Sequence, residues 1–221
     1  AFFQLLKTNI EQQGLKMENI IGESFDGASN MRGEFAGVQK LIRDVSPNSV
    51  YTWCYAHVLN LAATDMVENI MAVKNLIGLL QSTATFFSVS CKRMDVWSRI
   101  ITDEAVGSAK LKKLQKIGDT RWWSKQAALE TIFGPFNNTK NGTYSVMLKV
   151  LNDIVNLPKF NAKASFEAST LLEKWLQFSN ILTAYLLLLV YSILRQASDY
   201  LQTSGLDYLT AWNMVQSSKD E

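Results

Sequence analysis

Two cysteines, Cys54 and Cys91, and a single histidine, His57, are the only thiol and imidazole groups in 221 residues. Two thiols are too few for a disulfide framework and suit a reducing compartment. One histidine and two cysteines fall short of the four ligands a structural zinc requires, so no zinc is expected from this chain. Charge is sparse as well, at 19% of residues, and nearly balanced, with 22 Lys and Arg against 20 Asp and Glu. That total excludes a disordered, self-repelling chain, and an apolar content of 48% allows a substantial core. No basic leader with an apolar signal core opens the sequence. The run Ala1-Phe2-Phe3-Gln4-Leu5-Leu6 instead reads as the inside of a longer protein. Without a secretory leader, the glycosylation-type triplets at Asn137 and Asn141 read as chance. Long apolar runs are missing too. Ile181 to Leu194 is apolar for about 14 residues, short of the ~20 that span a bilayer. A core helix is expected there, and no membrane partner.

What charge there is has an uneven distribution. Between Lys92 and Lys125 stand nine of the basic residues and four of the acidic ones, leaving the remainder slightly acidic. A basic middle segment suits a phosphate backbone, and it equally suits a solvated helix face.

Periodicity divides the chain. Residues 2–13 read as a helix stopped by Gly14, and Asn19 to Phe25 as a short strand ending at Asp26. A helix over 33–45 puts Phe35, Val38, Leu41, Ile42 and Val45 on one face, and Ser46-Pro47-Asn48 ends it. A second strand over 49–53 follows, with a crossover long enough for parallel pairing. From Ala56 the pattern turns helical for about seven turns, to Leu80. Further helices are predicted at 92–103, 108–117, 120–133, 144–155 and 164–201, with a weaker one after Leu206. Within 164–201, Leu171, Trp175, Phe178, Leu182, Tyr185 and Leu189 alternate steps of four and three, a packing seam. The expected architecture is α/β leading into mainly α, divided as residues 1–62 and 63–221.

Three stretches carry candidate chemistry. Asp26 follows a hydrophobic strand, where α/β sheets place ligands, and the small Gly27, Ala28, Ser29 and Asn30 let an ion or backbone approach. Taken by itself, it reads first as the opening of an Asx turn or as a helix cap. Cys54 and His57 form a Cys-x-x-His at the end of the second strand. The pair could be half a metal site, a thiol–imidazole dyad, or a phosphate-facing His with the Cys packed beneath it. In Asp119-Thr120-Arg121-Trp122-Trp123, Arg beside Trp offers a phosphate fork and a stacking face for an unstacked base. The same tryptophans would serve as interhelical core anchors.

Taken in order, Ser24 to Gly33, Cys54 to Leu61 and Asp119 to Trp122 resemble the hAT-type transposases, particularly their domesticated zinc finger MYM-type relatives. Phe86-Phe87-Ser88, followed by Lys92-Arg93 and Trp97, is similar to the stretch those proteins carry between the second and third motifs. The resemblance implies a partial RNase H-like fold interrupted by a long all-α insertion domain, in a nuclear, DNA-binding protein. It implies an Asp/Asp/Glu set holding Mg²⁺ for DNA strand cleavage and transfer. Asp26 falls on the second carboxylate and metal ligand, and His57 lies near the scissile phosphate. Arg121 and Trp122 contact DNA, with the Trp stacking on a flipped base. Cys54, Gly27, Ser29 and Asn30 support the motifs. The first Asp and the last Glu have no counterpart within these 221 residues, so Mg²⁺ is expected only in a complete site and this chain alone is not expected to be active. A homodimer, or contacts with other nuclear proteins, would form through further segments. The alternative is a domesticated, non-catalytic scaffold or transcription-regulator module acting through protein contacts.

Overall fold

The structure, a computed structural model, describes residues 2–28, 31, 37–104, 122–203, 205 and 207–220. It is mainly helical, 76%, with one two-stranded parallel sheet among the described residues. The chain divides into two compact units, Ala1–Leu61 and Ala62–Glu221.

The first unit begins with α1 (Phe2–Gln12). Gly14 ends it at φ 74°, the left-handed conformation that only glycine adopts without cost. Leu15 N–H bonds back to Ile10 O (3.1 Å) and Gly14 N–H to Glu11 O (3.0 Å), which satisfies the last carbonyls of the helix. A 3₁₀ turn at Met17–Asn19 leads into β1 (Gly22–Phe25), then α2 (Val38–Val45) and β2 (Val50–Trp53). The strands pair in parallel, with Gly22 opposite Val50 and Phe25 opposite Trp53, as the crossover length predicts. Both strands are shorter than their sequence pattern suggested. Ile21 is 87% exposed, and it meets the sheet only through its carbonyl, which accepts from Val50 N–H at 3.1 Å.

Met17, Val38 and Ile42 form the fully buried centre of this unit, with Phe3, Leu6, Ile10 and Phe25 packed around it. Val45, expected on the same face, is the last residue of α2 and is exposed. Ser46 is buried, and its hydroxyl donates to Ile20 O (2.8 Å) and Glu18 O (3.1 Å), tying the end of α2 to the approach of β1. Phe35 lies outside the described residues.

The second unit takes over within α3 (Tyr55–Asn69) and is built from α4 (Met71–Ser88), α5 (Cys91–Glu104), α6 (Trp122–Phe133), α7 (Tyr144–Asn156), α8 (Ala162–Trp175), α9 (Phe178–Leu201) and α10 (Tyr208–Asp220). One continuous core runs through it, anchored by Trp97, Trp122, Trp175 and Tyr191, each at most 2% exposed. The Trp175 indole N–H donates to Thr83 Oγ1 at 2.9 Å, and Tyr144 Oη donates to Trp175 O at 2.6 Å, so this ring and its helix end are pinned by polar bonds within an apolar core.

Two breaks depart from the sequence pattern. The helical run from Ala56 to Leu80 is two helices meeting at 93° around Ile70, an extended residue that starts α4. The run 164–201 is likewise two helices, interrupted at Leu176 and Gln177. The interruption resets the phase of the predicted seam. Leu171 and Trp175 stay buried, but Phe178, Leu182, Tyr185 and Leu189 turn outward, and Ala184, Leu187, Leu188 and Tyr191 face the core instead. At 24 residues, α9 is also longer than its apolar run. It is the one helix among the described residues long and apolar enough by itself to cross a membrane. Its buried face packs against α4, α6 and α10. The predicted helix at 108–117 lies outside the described residues.

Candidate functional site

The sheet explains why the first two motifs meet. Parallel strands in register end at the same edge, so the residue after Phe25 and the residue after Trp53 are neighbours. Cys54 N–H extends the ladder by one bond, to Phe25 O at 3.1 Å. Asp26 and Cys54 therefore stand side by side at the carboxyl ends of the strands, where α/β sheets place ligands.

Asp26 is exposed, and its Oδ1 accepts from Ala28 N–H at 3.3 Å. This is the Asx turn that the residues after it allow. It occupies one carboxylate oxygen and turns the chain away from the strand. Gly27 has a steric reason to be glycine. A Cβ there would lie 3.0 Å from the Trp53 indole, which closes over it. The same ring lies 6.4 Å from that of His57 between centroids, tilted by 41°. Trp53 thus links the Asp26 turn to the first turn of α3. The sequence reading gave it no role beyond a strand position; an aromatic immediately before Cys-x-x-His is the signal it passed over.

Cys54 caps α3 through its backbone, its carbonyl accepting from His57 N–H and Val58 N–H, both at 3.0 Å. Its thiol is free and half-buried, and His57 is half-buried in the first helical turn. The described residues contain no group of three or more His, Cys, Asp and Glu side chains able to hold a metal. Asp26 by itself contributes one exposed carboxylate, and a hard cation such as Mg²⁺ needs several oxygen ligands at once. Ser29 and Asn30 lie outside the described residues.

Glu23 was also missed. It pairs in register with Tyr51, and both Glu23 Oε2 and Tyr51 Oη are buried with no hydrogen-bond partner among the described residues. Strand alternation puts them on the face opposite Asp26, beside Phe25, so they belong to the packed side of the sheet and not to its carboxyl edge.

The third motif belongs to the helical unit. Arg121 lies outside the described residues. Trp122 is 2% exposed, its ring 5.3 Å from that of Tyr191 and inclined by 36°. In this arrangement its faces belong to the core, and the ring open to solvent is that of Trp123, at 38%. Trp123 borders a groove of about 360 Å³ with Gln126, Arg195 and Gln202. Arg195 there lies 3.6 Å from Asp199 and 4.0 Å from Glu130.

The described part of the basic segment is divided between residues engaged in the fold and residues left on the surface. Arg93 donates to Phe86 O (2.9 Å) and Glu167 Oε2 (3.2 Å) with its guanidinium over the Phe86 ring, and Arg99 lies 4.0 Å from Asp95. Lys125 is 6% exposed. Arg93 clasps neighbouring helices and Lys125 is buried, so neither adds to a free cationic face, while Lys92 and Arg99 stay exposed on their own helix. No family model matches the chain, and no solved structure matches it.

Proposed function

We propose that the chain is part of a transposase-derived, RNase H-like domain of hAT type that handles DNA and is incomplete on its own for Mg²⁺-dependent strand cleavage and transfer. The observation that carries this reading is the meeting of Asp26, Cys54 and His57 at one carboxyl edge of a parallel sheet, joined across the Trp53 ring. Asp26 and Cys54 stand 28 residues apart in sequence, and it is the parallel register that brings them together. In this reading Asp26 supplies one carboxylate of a set completed by further segments. His57 is the phosphate-facing donor, and the long helical unit is the insertion. One carboxylate does not make a two-metal site, so no step through Mg²⁺ is assigned to this chain. Arg121 is the DNA-contacting residue in this reading, with Trp123 the ring presented to solvent beside it and Trp122 anchoring the helix in the core. The setting would be nuclear.

The test is nicking of supercoiled plasmid in Mg²⁺ by a longer protein that supplies the missing carboxylates. Nicking that falls to background in Asp26→Asn, with no nicking by the present chain, is the expected result. Cleavage that survives Asp26→Asn sinks the catalytic assignment, and absence of DNA binding by either form sinks the DNA-handling one. A non-catalytic scaffold acting through protein contacts is the second reading. It is favoured by exposed apolar side chains on α9 and α10, notably Phe178 at 75% and Trp212 at 52%. That reading predicts partner binding untouched by Asp26→Ala.

A further inference from the structure

The backbone fixes where His57 stands but not which way its ring points. His57 N–H donates to Cys54 O at 3.0 Å, and Cys54 N–H donates to Phe25 O at 3.1 Å, so the first turn of α3 is tied to the end of the sheet. The imidazole itself has no hydrogen bond and no ion pair among the described residues. The one ring beside it there is the Trp53 indole, 6.4 Å away between centroids and inclined by 41°. A side chain without a directional bond takes the rotamer its neighbours leave room for, and here the neighbour is that indole.

The same indole has a second contact, from the other strand. Gly27 lies so close that a Cβ on it would stand 3.0 Å from Trp53 Cζ2 and Nε1 and 3.2 Å from Cε2. Backbone conformation does not demand glycine here, since the left-handed glycines among the described residues are Gly14, Gly134 and Gly205. Lack of space does. Gly27 is also the middle of the turn that Ala28 N–H closes on Asp26 Oδ1 at 3.3 Å. The turn that presents the Asp26 carboxylate therefore rests on the ring that flanks His57, and that ring is placed by the register of Trp53 opposite Phe25.

We propose that Trp53 is a positioning residue: its indole backs the Asp26 turn and sets the direction of the His57 imidazole, so that a push on the ring from residue 27 turns the imidazole. Chemistry shared by a carboxylate and an imidazole needs their geometry held to within about 0.5 Å. Strand pairing places the two backbones, and the indole takes up the rotation that pairing leaves to the side chain. The use of this coupling in strand cleavage rests on the function proposed above; the coupling itself does not.

The test uses the whole chain and needs no substrate. His57 is the only histidine, so its imidazole C–H signals in a ¹H–¹³C NMR spectrum are unambiguous. Gly27→Ala, whose methyl meets the indole first, should shift those signals. In a Trp53→Leu background the same Gly27→Ala change should no longer shift them, because the ring that carries the push is gone. Trp53→Phe keeps a flat ring and should restore most of the response. Imidazole signals unmoved by Gly27→Ala, or moved equally with and without the indole, would overturn the proposal. Should the variants fail to fold, nuclear Overhauser contacts in the unaltered chain decide it. Indole protons should contact both the Gly27 Hα and the His57 ring, and the absence of either contact overturns the coupling. Cleavage indifferent to Asp26→Asn would sink the catalytic reading and leave the imidazole response in place, so the two failures are read separately.

Discussion

The two units solve the problem of holding a chain together very differently. The first has three fully buried apolar residues at its centre, and the second has a continuous core of 27, both counted among the described residues. The sharpest candidate chemistry lies in the poorly packed unit. Asp26, Cys54 and His57 are fixed by backbone pairing and one indole, with little apolar burial beneath them. A sheet of two parallel strands is the weaker kind of scaffold, because such sheets are stable chiefly when covered on both faces. Position at a sheet edge follows from register, and rigidity follows from packing. The first unit has the former and little of the latter.

That contrast can be broken or sharpened by measurement. The largest effect is expected from Trp175→Ala, which removes a fully buried ring and one of the two hydrogen bonds of the buried Thr83 hydroxyl. It should cost about 3–5 kcal/mol and be read as a lowered urea midpoint of the helical unit. If loss of the helical unit leaves the amide signals of β1 and β2 unchanged, the units fold independently; joint loss makes them one cooperative system. Next is Ile42→Ala, in the smaller core. At 1% exposure it should cost about 2–5 kcal/mol, enough to unfold the first unit while Trp97 and Trp175 fluorescence stays native. Ser46→Ala removes two hydrogen bonds to the approach of β1 and should cost about 1–3 kcal/mol. Faster amide exchange should then appear at Val50 and Cys54, which bond to Ile21 and Phe25; unchanged exchange would show that Ser46 does not hold the strand in place. Smallest is Gly78→Ala, expected to raise the stability of the helical unit by about 0.5–1 kcal/mol, since no steric reason keeps glycine there. A destabilised variant would mean that Gly78 has a packing role after all.

The same contrast governs how far the sequence alone could be read. The strand ends, the parallel pairing and the stop at Gly14 follow from local chemistry, and they were legible as such. The helix breaks at Ile70 and Leu176 were not, because neither carries a proline or glycine to mark it. Those corners are chosen by packing, through bulky residues such as Trp175 and Leu76 seeking the same interior. Trp122 and Trp123 pose the same difficulty. Adjacent identical side chains carry no sign of which one is buried, and only the neighbouring Tyr191 ring decides it. At the candidate site the motif residues were visible, whereas Trp53 as the piece between them was not, since its contact with Gly27 depends on two strands lying in register.

The loop between α6 and α7 reverses an expectation of composition in a way that matters for handling the protein. Residues 134–143, rich in Asn, Gly and Thr, have the composition of a loop. In the structure Gly134 takes φ 79°, a Cβ on it would lie 2.6 Å from Asn138 O, and one on Gly142 would lie 2.4 Å from Ile132 O. Thr143 adds both its N–H (3.1 Å) and its hydroxyl (2.8 Å) to Thr131 O. Two stretches of bare backbone cross here with no room for a side chain. An engineer choosing where to insert an affinity tag or reporter by sequence would cut at this loop first, and would be opening a clasp. The turn at Pro158 and Lys159, both exposed and ahead of the Asn161 cap of α8, is the better site.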